Sequence, residues 1–255
     1  MDAVLNLRER TILIAAPFST TVQNLMMGLT QLGADVALVD KEAQQAQRFC
    51  NQINDQREIN DRHGRAGAFN ADFSNKDQVK DAVGRVAQTF GSVDVLVDAM
   101  GMDHPAMMTM TTEEMPMFFQ KHLQATMMIT ELALNFMKSK KRGRIIYLVN
   151  AATLRGQESD AMMAAARGGL VQYAQTMGRM WQDFNTTVNV LSPSLTEEYL
   201  LKHFPECSSI KEAQEKMKVL DPKLRLTDAD RITSVVAFLA SAQGAGVTGQ
   251  VLTVS

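Results

Sequence analysis

Residues 11–40 of the chain read TILIAAPFSTTVQNLMMGLTQLGADVALVD. Two short apolar runs, at 11–15 and 35–39, flank a longer segment whose apolar residues recur at helical spacing. Strand-length apolar runs on both sides of a helix-length segment are typical of a βαβ unit, whose strands lie parallel in a buried sheet. The opening stretch therefore predicts an α/β fold.

The same alternation continues to the end of the chain. The predicted strands are Thr11–Ala15, Asp35–Val39, Ala66–Ala71, Val93–Val97, Arg144–Val149, Thr187–Leu191 and Gln250–Val254. The predicted helices are Thr20–Leu32, Lys41–Arg62, Lys76–Phe90, Glu113–Ser139, Ser159–Asp183 and Asp228–Ala242. Parallel neighbours need right-handed crossovers, so the helices must cover both faces of the sheet. The sequence contains no flexible linker and no internal repeat. We therefore expect residues 1–255 to form one Rossmann-type doubly wound domain around a mostly parallel seven-stranded sheet.

One long segment, Ser192–Leu226, lacks a clear helix or strand pattern and contains three prolines. It follows the sixth predicted strand. Open α/β sheets bind ligands in a crevice outside the carboxyl ends of their strands. We therefore expect this segment to cover such a crevice.

Charge and composition argue against several classes of partner. Lys and Arg number 26 against 28 Asp and Glu, so no charge excess favours nucleic acid or anionic lipid. Neither an N-terminal apolar leader nor a membrane-length apolar run is present, and we expect a cytoplasmic protein. Cys50 and Cys207 have no metal or redox spacing, so we expect neither a disulfide framework nor a bound metal.

A basic cluster lies between a predicted helix and the fifth predicted strand, at Lys138, Lys140, Lys141, Arg142 and Arg144. Cations at a helix C-terminus interact favourably with the helix dipole. We expect this role for the cluster. An anion-binding patch is the alternative.

Several short motifs occur in a recognisable order. Val93–Gly101 reads VDVLVDAMG, Gly143–Ile146 reads GRII, Val188–Ser194 reads VNVLSPS, and Val247–Leu252 reads VTGQVL. They are similar to the strand-plus-N-N-A-G, G-R-I-V, V-N-x-I-x-P-G and T-G-Q segments of the short-chain dehydrogenase/reductase family. The chain therefore resembles this family over nearly its whole length, which implies a Rossmann-type fold and nicotinamide-dependent oxidoreduction.

The resemblance also locates the four catalytic positions of the family, and all four are changed. The serine position falls on Asn150, the tyrosine on Met163, the lysine on Arg167 and the helix-borne asparagine on His122. Carbonyl reduction needs a group that delivers a proton to the developing alkoxide. Methionine has no ionisable proton, so we expect none of these positions to be catalytically competent.

The tyrosines near these positions do not replace the missing phenol. Tyr147 precedes Asn150 by three residues on a strand and is expected to face the other side of the sheet. Tyr173 lies ten residues after Met163, roughly 15 Å along a helix.

The cofactor loop departs from the family as well. The family pattern T-G-x-x-x-G-x-G falls on Ala15–Val22, which reads AAPFSTTV and has no glycine. Glycines let the backbone approach the pyrophosphate of a dinucleotide, whereas Pro17 removes a donor and Val22 is β-branched. The turn after the fourth strand also has Asp98 and Met100 in place of Asn and Ala. We therefore expect nicotinamide binding to be lost or weakened.

Some features that would hold a cofactor persist. Hydroxyl side chains at the start of the first helix can cap it and position an anion. Asp40, at the end of the second strand, would hydrogen-bond a ribose and repel a 2′-phosphate, or would simply end the strand and cap the next helix. The resemblance adds an adenine contact at Asp72 and a ribose contact at Arg167. The candidate cofactor-binding residues are thus Ser19, Thr20, Thr21, Asp40, Asp72 and Arg167, and we expect no cofactor, or NAD(H) if any nicotinamide binds.

These departures favour a catalytically degenerate scaffold that binds a small molecule or a protein. The alternative is an oxidoreductase or other enzyme with altered chemistry in the same crevice, built on His122, Asn150, Asp160 or Arg167. His122 itself is expected to be a buried histidine with a polar partner rather than a base.

In relatives, helices equivalent to 113–139 and 159–183 form a four-helix interface about a twofold axis. The resemblance therefore implies a homodimer or homotetramer. The methionine-rich stretch 100–117 is expected to be an apolar patch filling the cofactor cleft, and a Cu(I) site that includes His104 is a weaker alternative.

Overall fold

The computed structural model describes residues 5–60, 62–102, 111–151, 161–220 and 226–255. His104 and Asp160 lie outside these ranges. The strands are β1 Thr11–Ala15, β2 Asp35–Asp40, β3 Ala66–Asn70, β4 Val95–Asp98, β5 Gly143–Leu148, β6 Thr186–Pro193 and β7 Val251–Val254. The helices are α1 Thr20–Gln31, α2 Ala43–Ile59, α3 Lys76–Phe90, α4 Met115–Phe119, α5 Ala125–Lys140, α6 Ala161–Met180, α7 Glu197–His203, α8 Ile210–Leu220 and α9 Ala229–Ala240.

The strands form one seven-stranded parallel sheet in the order β3-β2-β1-β4-β5-β6-β7. Ile14 of β1 pairs with Leu38 of β2 on one side and with Val97 of β4 on the other. The strand order reverses at this point, so the connections diverge and open a crevice at the carboxyl ends of β1 and β4. The predicted Rossmann-type fold is confirmed.

Side chains alternate along each strand, so both faces of the sheet carry apolar residues. Helices cover both faces. Ile12 and Ile14 pack with α1, α2 and α9, whereas Leu13 and Ala15 pack with α3, α5 and α6. Cys50 of α2 lies fully inside the first of these layers, and burial raises the pKa of its thiol to about 12. Cys50 is therefore an inert core residue.

Local chemistry sets the helix boundaries. The Ser19 hydroxyl accepts a hydrogen bond from the Val22 amide and starts α1. Asn75 caps α3 in the same way, and α3 ends where Gly91 adopts a left-handed conformation with φ of 87°. The predicted bounds of α3 are confirmed.

The predicted continuous helix Glu113–Ser139 is interrupted. Helix α4 passes into a π-helical turn at Gln120–Gln124 before α5 begins. A π turn inserts one extra residue and leaves a carbonyl free for another donor, and such turns occur often at functional sites. Hydrophobic periodicity does not detect a single inserted residue.

The segment predicted to be irregular, Ser192–Leu226, contains helices α7 and α8. The two helices share a small hydrophobic core, which consists of Leu195, Tyr199, Leu200, Ala213 and Met217. Thr196 caps α7 by accepting from the Tyr199 amide. The two helices are too short for periodicity to predict them. Within the described ranges, every helix is too short or too polar to span a bilayer.

Candidate active site

A group of buried polar residues lies where β4 and β5 end. His122, Asn150 and Arg167, from three separate elements, are all buried. The Asn150 amide is 3.5 Å from the Gly101 carbonyl, and a Cβ on Gly101 would lie 3.3 Å from Arg167 Nη1 and collide with the Leu148 carbonyl. The fold therefore brings together three of the four positions indicated by the sequence, around a glycine that leaves room for Arg167.

Arg167 is the centre of this group, with only 1% of its surface exposed. Its Nη1 donates to the His122 carbonyl at 3.2 Å, and its Nη2 lies 3.4 Å from the Met100 carbonyl. The His122 carbonyl belongs to the π turn, so the interruption of the helix supplies an acceptor for the guanidinium. Arg167 is thus a buried cation held by two backbone carbonyls beside the ends of β4 and β5.

Met163, one turn earlier on α6, is completely buried. The His122 ring packs on Phe118, with centroids 4.5 Å apart. Tyr147 and Tyr173 lie on the α5 and α6 side of the sheet, and the Tyr147 hydroxyl is 2.8 Å from the Thr130 hydroxyl. Burial raises the pKa of both tyrosines. Neither phenol is a ready proton donor.

Asp98 is a functional candidate that the sequence did not indicate. It ends β4 with 2% of its surface exposed, and its Oδ1 accepts from the Met100 amide at 2.9 Å. Burial raises the pKa of this carboxyl, although the Thr126 hydroxyl, the Met100 amide and the Arg167 charge act in the opposite direction. A carboxyl with a raised pKa beside a buried cation is typical of functional sites. The sequence contains one indication of this role, which is that Asp98 replaces an asparagine of the family motif.

Asp98→Asn is expected to change stability in a pH-dependent way. A carboxyl whose folded pKa is raised disfavours folding above that pKa and ceases to do so once it is protonated. The free energy of unfolding of Asp98→Asn relative to the parent should therefore increase between pH 4.5 and pH 8. Urea unfolding at both pH values measures this difference. A difference that is constant with pH, or that falls as the pH rises, would contradict the assignment.

The N-terminus of α1 holds an anionic group from the chain itself. The amide and the hydroxyl of Thr21 both donate to Glu198 Oε2 at 3.3 Å, while Ser19 caps the helix and Thr20 is exposed. Glu198 belongs to α7, and Lys202 lies 3.5 Å from its other oxygen. A helix N-terminus stabilises negative charge through its free amides and its dipole. The Glu198 carboxylate therefore shows that this helix end binds an anion.

Asp40 holds the loop after β1. Its Oδ2 accepts from the Phe18 amide at 3.0 Å, and the Phe18 ring packs against Phe49 with centroids 5.9 Å apart. Helix α2, by contrast, begins at Ala43 without a side-chain cap. Asp40 therefore orders the loop beside the crevice and does not cap the next helix.

Asp72 is a partly exposed cofactor candidate that follows β3. It forms an ion pair of 2.7 Å with Lys41 and accepts from the Ser74 hydroxyl at 2.7 Å. The hydrogen bond from Lys41, with those from Ser74, holds the pKa of the Asp72 carboxyl well below its ordinary value. Asp72 is thus ionised and ordered at the end of β3.

These residues fit a dinucleotide better than the missing glycines suggest. The Val22 side chain packs into the core with 2% exposure, so it does not fill the crevice, and Pro17 is exposed. The end of α1 already holds an anion, and Asp40 stands at the end of β2. An anion site and an acid at these two points are what a Rossmann-type crevice offers to a pyrophosphate and a ribose.

The chain has many relatives among known proteins. Residues 25–255 match the family described as enoyl-(acyl carrier protein) reductase. A 3-oxoacyl-(acyl-carrier-protein) reductase of Thermotoga maritima is 25% identical over 190 residues, covering 74% of this chain and 75% of the relative. The enzyme of that name from Vibrio cholerae is 28% identical over 194 residues, covering 76% and 77%.

Solved structures share the fold. Levodione reductase superposes with a TM-score of 0.85 at 20% identity, covering 98% of this chain and 97% of the other. A gluconate 5-dehydrogenase from Burkholderia cenocepacia, solved in complex with NADP and tartrate, has a TM-score of 0.82 at 20% identity, with 98% and 95% covered.

The expectation of a catalytically degenerate scaffold is wrong. It rested on the identities of four side chains, of which Met163 weighed most, and on the absent glycines. The matching family and the relatives in both organisms are named as reductases, which favours the alternative of an active oxidoreductase. From its sequence match and its sheet topology, the chain belongs to the short-chain dehydrogenase/reductase family.

Proposed function

We propose that the chain is an NAD(H)-dependent oxidoreductase that interconverts a carbonyl compound and its alcohol without a catalytic tyrosine. The observation that carries the proposal is the buried Arg167 guanidinium between the carbonyls of Met100 and His122, beside Asp98. Burying a charged group away from water costs roughly several kcal/mol. A buried charge is therefore weak evidence that the group is there to stabilise the fold. A protein with only a structural role would gain no stability from a buried cation and a buried carboxyl at its ligand-binding edge.

The cofactor would lie across the carboxyl ends of β1 and β4. The amide and hydroxyl groups of Ser19, Thr20 and Thr21 at the start of α1 would hold its phosphates, and Asp40 would accept from a ribose hydroxyl. Asp40 would repel a 2′-phosphate, so we propose NADH over NADPH. When bound, the nicotinamide supplies or accepts the hydride.

The polar group around Arg167 would handle the substrate oxygen. A positive charge held in a low-dielectric site stabilises an alkoxide as it develops, and the Asn150 side chain can donate to the same oxygen. Imidazole exchanges protons near neutral pH, so we assign the proton that reaches the oxygen to His122. Asp98 would act through Arg167, as a positioning residue.

The proposal is tested by following NADH oxidation against a panel of ketones, aldehydes and oxoacyl thioesters. We expect turnover that requires the carbonyl compound and is faster with NADH than with NADPH. His122→Gln should lower kcat by about 10²- to 10⁴-fold and remove the pH dependence of kcat, with the KM for NADH little changed. His63→Gln, a histidine far from the crevice, serves as the control. Full activity in His122→Gln would contradict the proton assignment, and no turnover with any carbonyl would contradict the function.

We also propose a homodimer or homotetramer along helices 113–139 and 159–183. In support, Met180 is 63% exposed, and a groove of about 570 Å³ between α3, α5 and α6 is lined by Met128, Tyr173, Met177 and Trp181. Apolar faces of this kind are typical of isologous contacts.

A further inference from the structure

A second cavity opens on the opposite edge of the sheet from the crevice. It has a volume of about 580 Å³ and lies at the amino ends of β1, β2 and β3. The cations that line it are Arg8, Arg10, Arg57, Arg62, Arg65 and Lys140. Its carboxylates are Glu9 and Asp35. Positive charge dominates this cavity in a chain that carries almost no net charge.

Two of the acids near the cavity, Asp35 and Asp94, are already paired with cations. Both carboxylate oxygens of Asp35 accept hydrogen bonds from the Arg65 guanidinium. Asp35 Oδ1 also accepts from the Arg65 backbone amide at 2.8 Å. Asp94, buried behind the wall, accepts from Lys140 at 3.3 Å and from Arg142 at 3.0 Å. The single Asp94 carboxylate therefore serves two cations, and cationic side chains still outnumber carboxylates around the cavity.

Arg10 is the most informative of these cations. Its Nη1 is buried and has no hydrogen-bond partner within the described part of the chain. Burial and the neighbouring charge of Arg142 lower the pKa of Arg10. A buried donor without an acceptor is destabilising, by about 1–3 kcal/mol. An acceptor from a bound anion would satisfy this nitrogen.

We propose that this cavity is a second ligand site, which binds a small oligophosphate. Five of the six cations are arginines, whose planar forks donate in pairs to phosphate oxygens. The volume falls within the range of small-ligand pockets. The arginines come from the segment before β1, from α2 and from the turn before β3, so the fold itself gathers them around one space. The site neither uses nor requires the catalytic crevice.

The test is calorimetric titration of the full chain with inorganic pyrophosphate, at constant ionic strength and with chloride as the reference anion. We expect saturable one-to-one binding. Arg62→Gln and Arg10→Met should each weaken it at least tenfold. Arg62 is exposed, so its variant remains informative if Arg10→Met proves unstable. The matched control is Arg48→Gln, an exposed arginine on α2 outside the cavity.

Pyrophosphate could also bind at the start of α1, so the two sites must be separated. Saturating NADH and the Glu198→Gln change act on the α1 site and should leave binding in the basic cavity unchanged. Displacement of pyrophosphate by NADH would place the anion in the crevice and overturn the proposal. Absence of saturable binding at millimolar pyrophosphate, or equal binding by parent and Arg62→Gln, would overturn it as well.

Discussion

Arg167→Met is expected to lower the kcat of NADH-dependent turnover by about 10²- to 10³-fold and to destabilise the fold by about 1–3 kcal/mol, the cost of leaving a buried polar group without its partner. The change removes the cation beside Asp98 and leaves the carbonyls of Met100 and His122 without their donor. Loss of one preorganised group that stabilises an alkoxide lowers kcat by about 10²- to 10³-fold. Urea unfolding and steady-state kinetics measure the two effects.

Two further variants separate charge from geometry. Arg167→Lys keeps the positive charge but has no planar fork, so it should retain part of the stability and less of the activity. Arg179→Met, at an exposed position on the same helix α6, should change neither property. If Arg167→Met were as active as the parent, Arg167 would have no part in the reaction.

Glu198→Gln is expected to tighten NADH binding by about 3- to 10-fold. In the parent, the Glu198 carboxylate accepts from the Thr21 amide and hydroxyl at the start of α1. It must give up these hydrogen bonds before a phosphate can bind there. A charge at a helix N-terminus is worth about 0.3–1 kcal/mol, and up to about 2 kcal/mol when partly buried, whereas the neutral amide is a weaker competitor. Each factor of ten in Kd corresponds to about 1.4 kcal/mol.

The neighbouring glutamate provides the control for this change. Glu197 stands in the same first turn of α7 but is exposed, so Glu197→Gln removes the same charge without touching α1. Its Kd for NADH, from protein fluorescence, should equal that of the parent. Equal affinities for the parent and Glu198→Gln would show that the carboxylate does not compete with the cofactor.

The sequence predicted the sheet well because its inner strands β1, β2, β4, β5 and β6 are buried on both faces. Runs such as 35–39 and 93–97 are almost entirely apolar, and each lies between helix-length segments. Helix α3 could be bounded because an asparagine cap and a glycine stop are local signals.

The site was harder to predict, because its parts depend on contacts between distant elements. The π turn that presents the His122 carbonyl to Arg167 arises from one extra residue in an otherwise regular helix. Glu198 meets Thr21 only through the packing of α7, in a segment that periodicity left unassigned. Comparing single positions with a family pattern showed what was missing at Met163, and could not show that Asp98 and Arg167 are both buried and that the Arg167 charge acts on the Asp98 carboxyl.

The most direct test of the account is isotope transfer from NADH in which both hydrogens at C4 of the nicotinamide are replaced by deuterium. Incubation with a carbonyl panel should give an alcohol that carries deuterium on its carbinol carbon. The label should appear with the parent protein, and at a rate about 10²- to 10³-fold lower with Arg167→Met. An unlabelled panel, under conditions where calorimetry shows NADH to be bound, would contradict the proposed oxidoreductase.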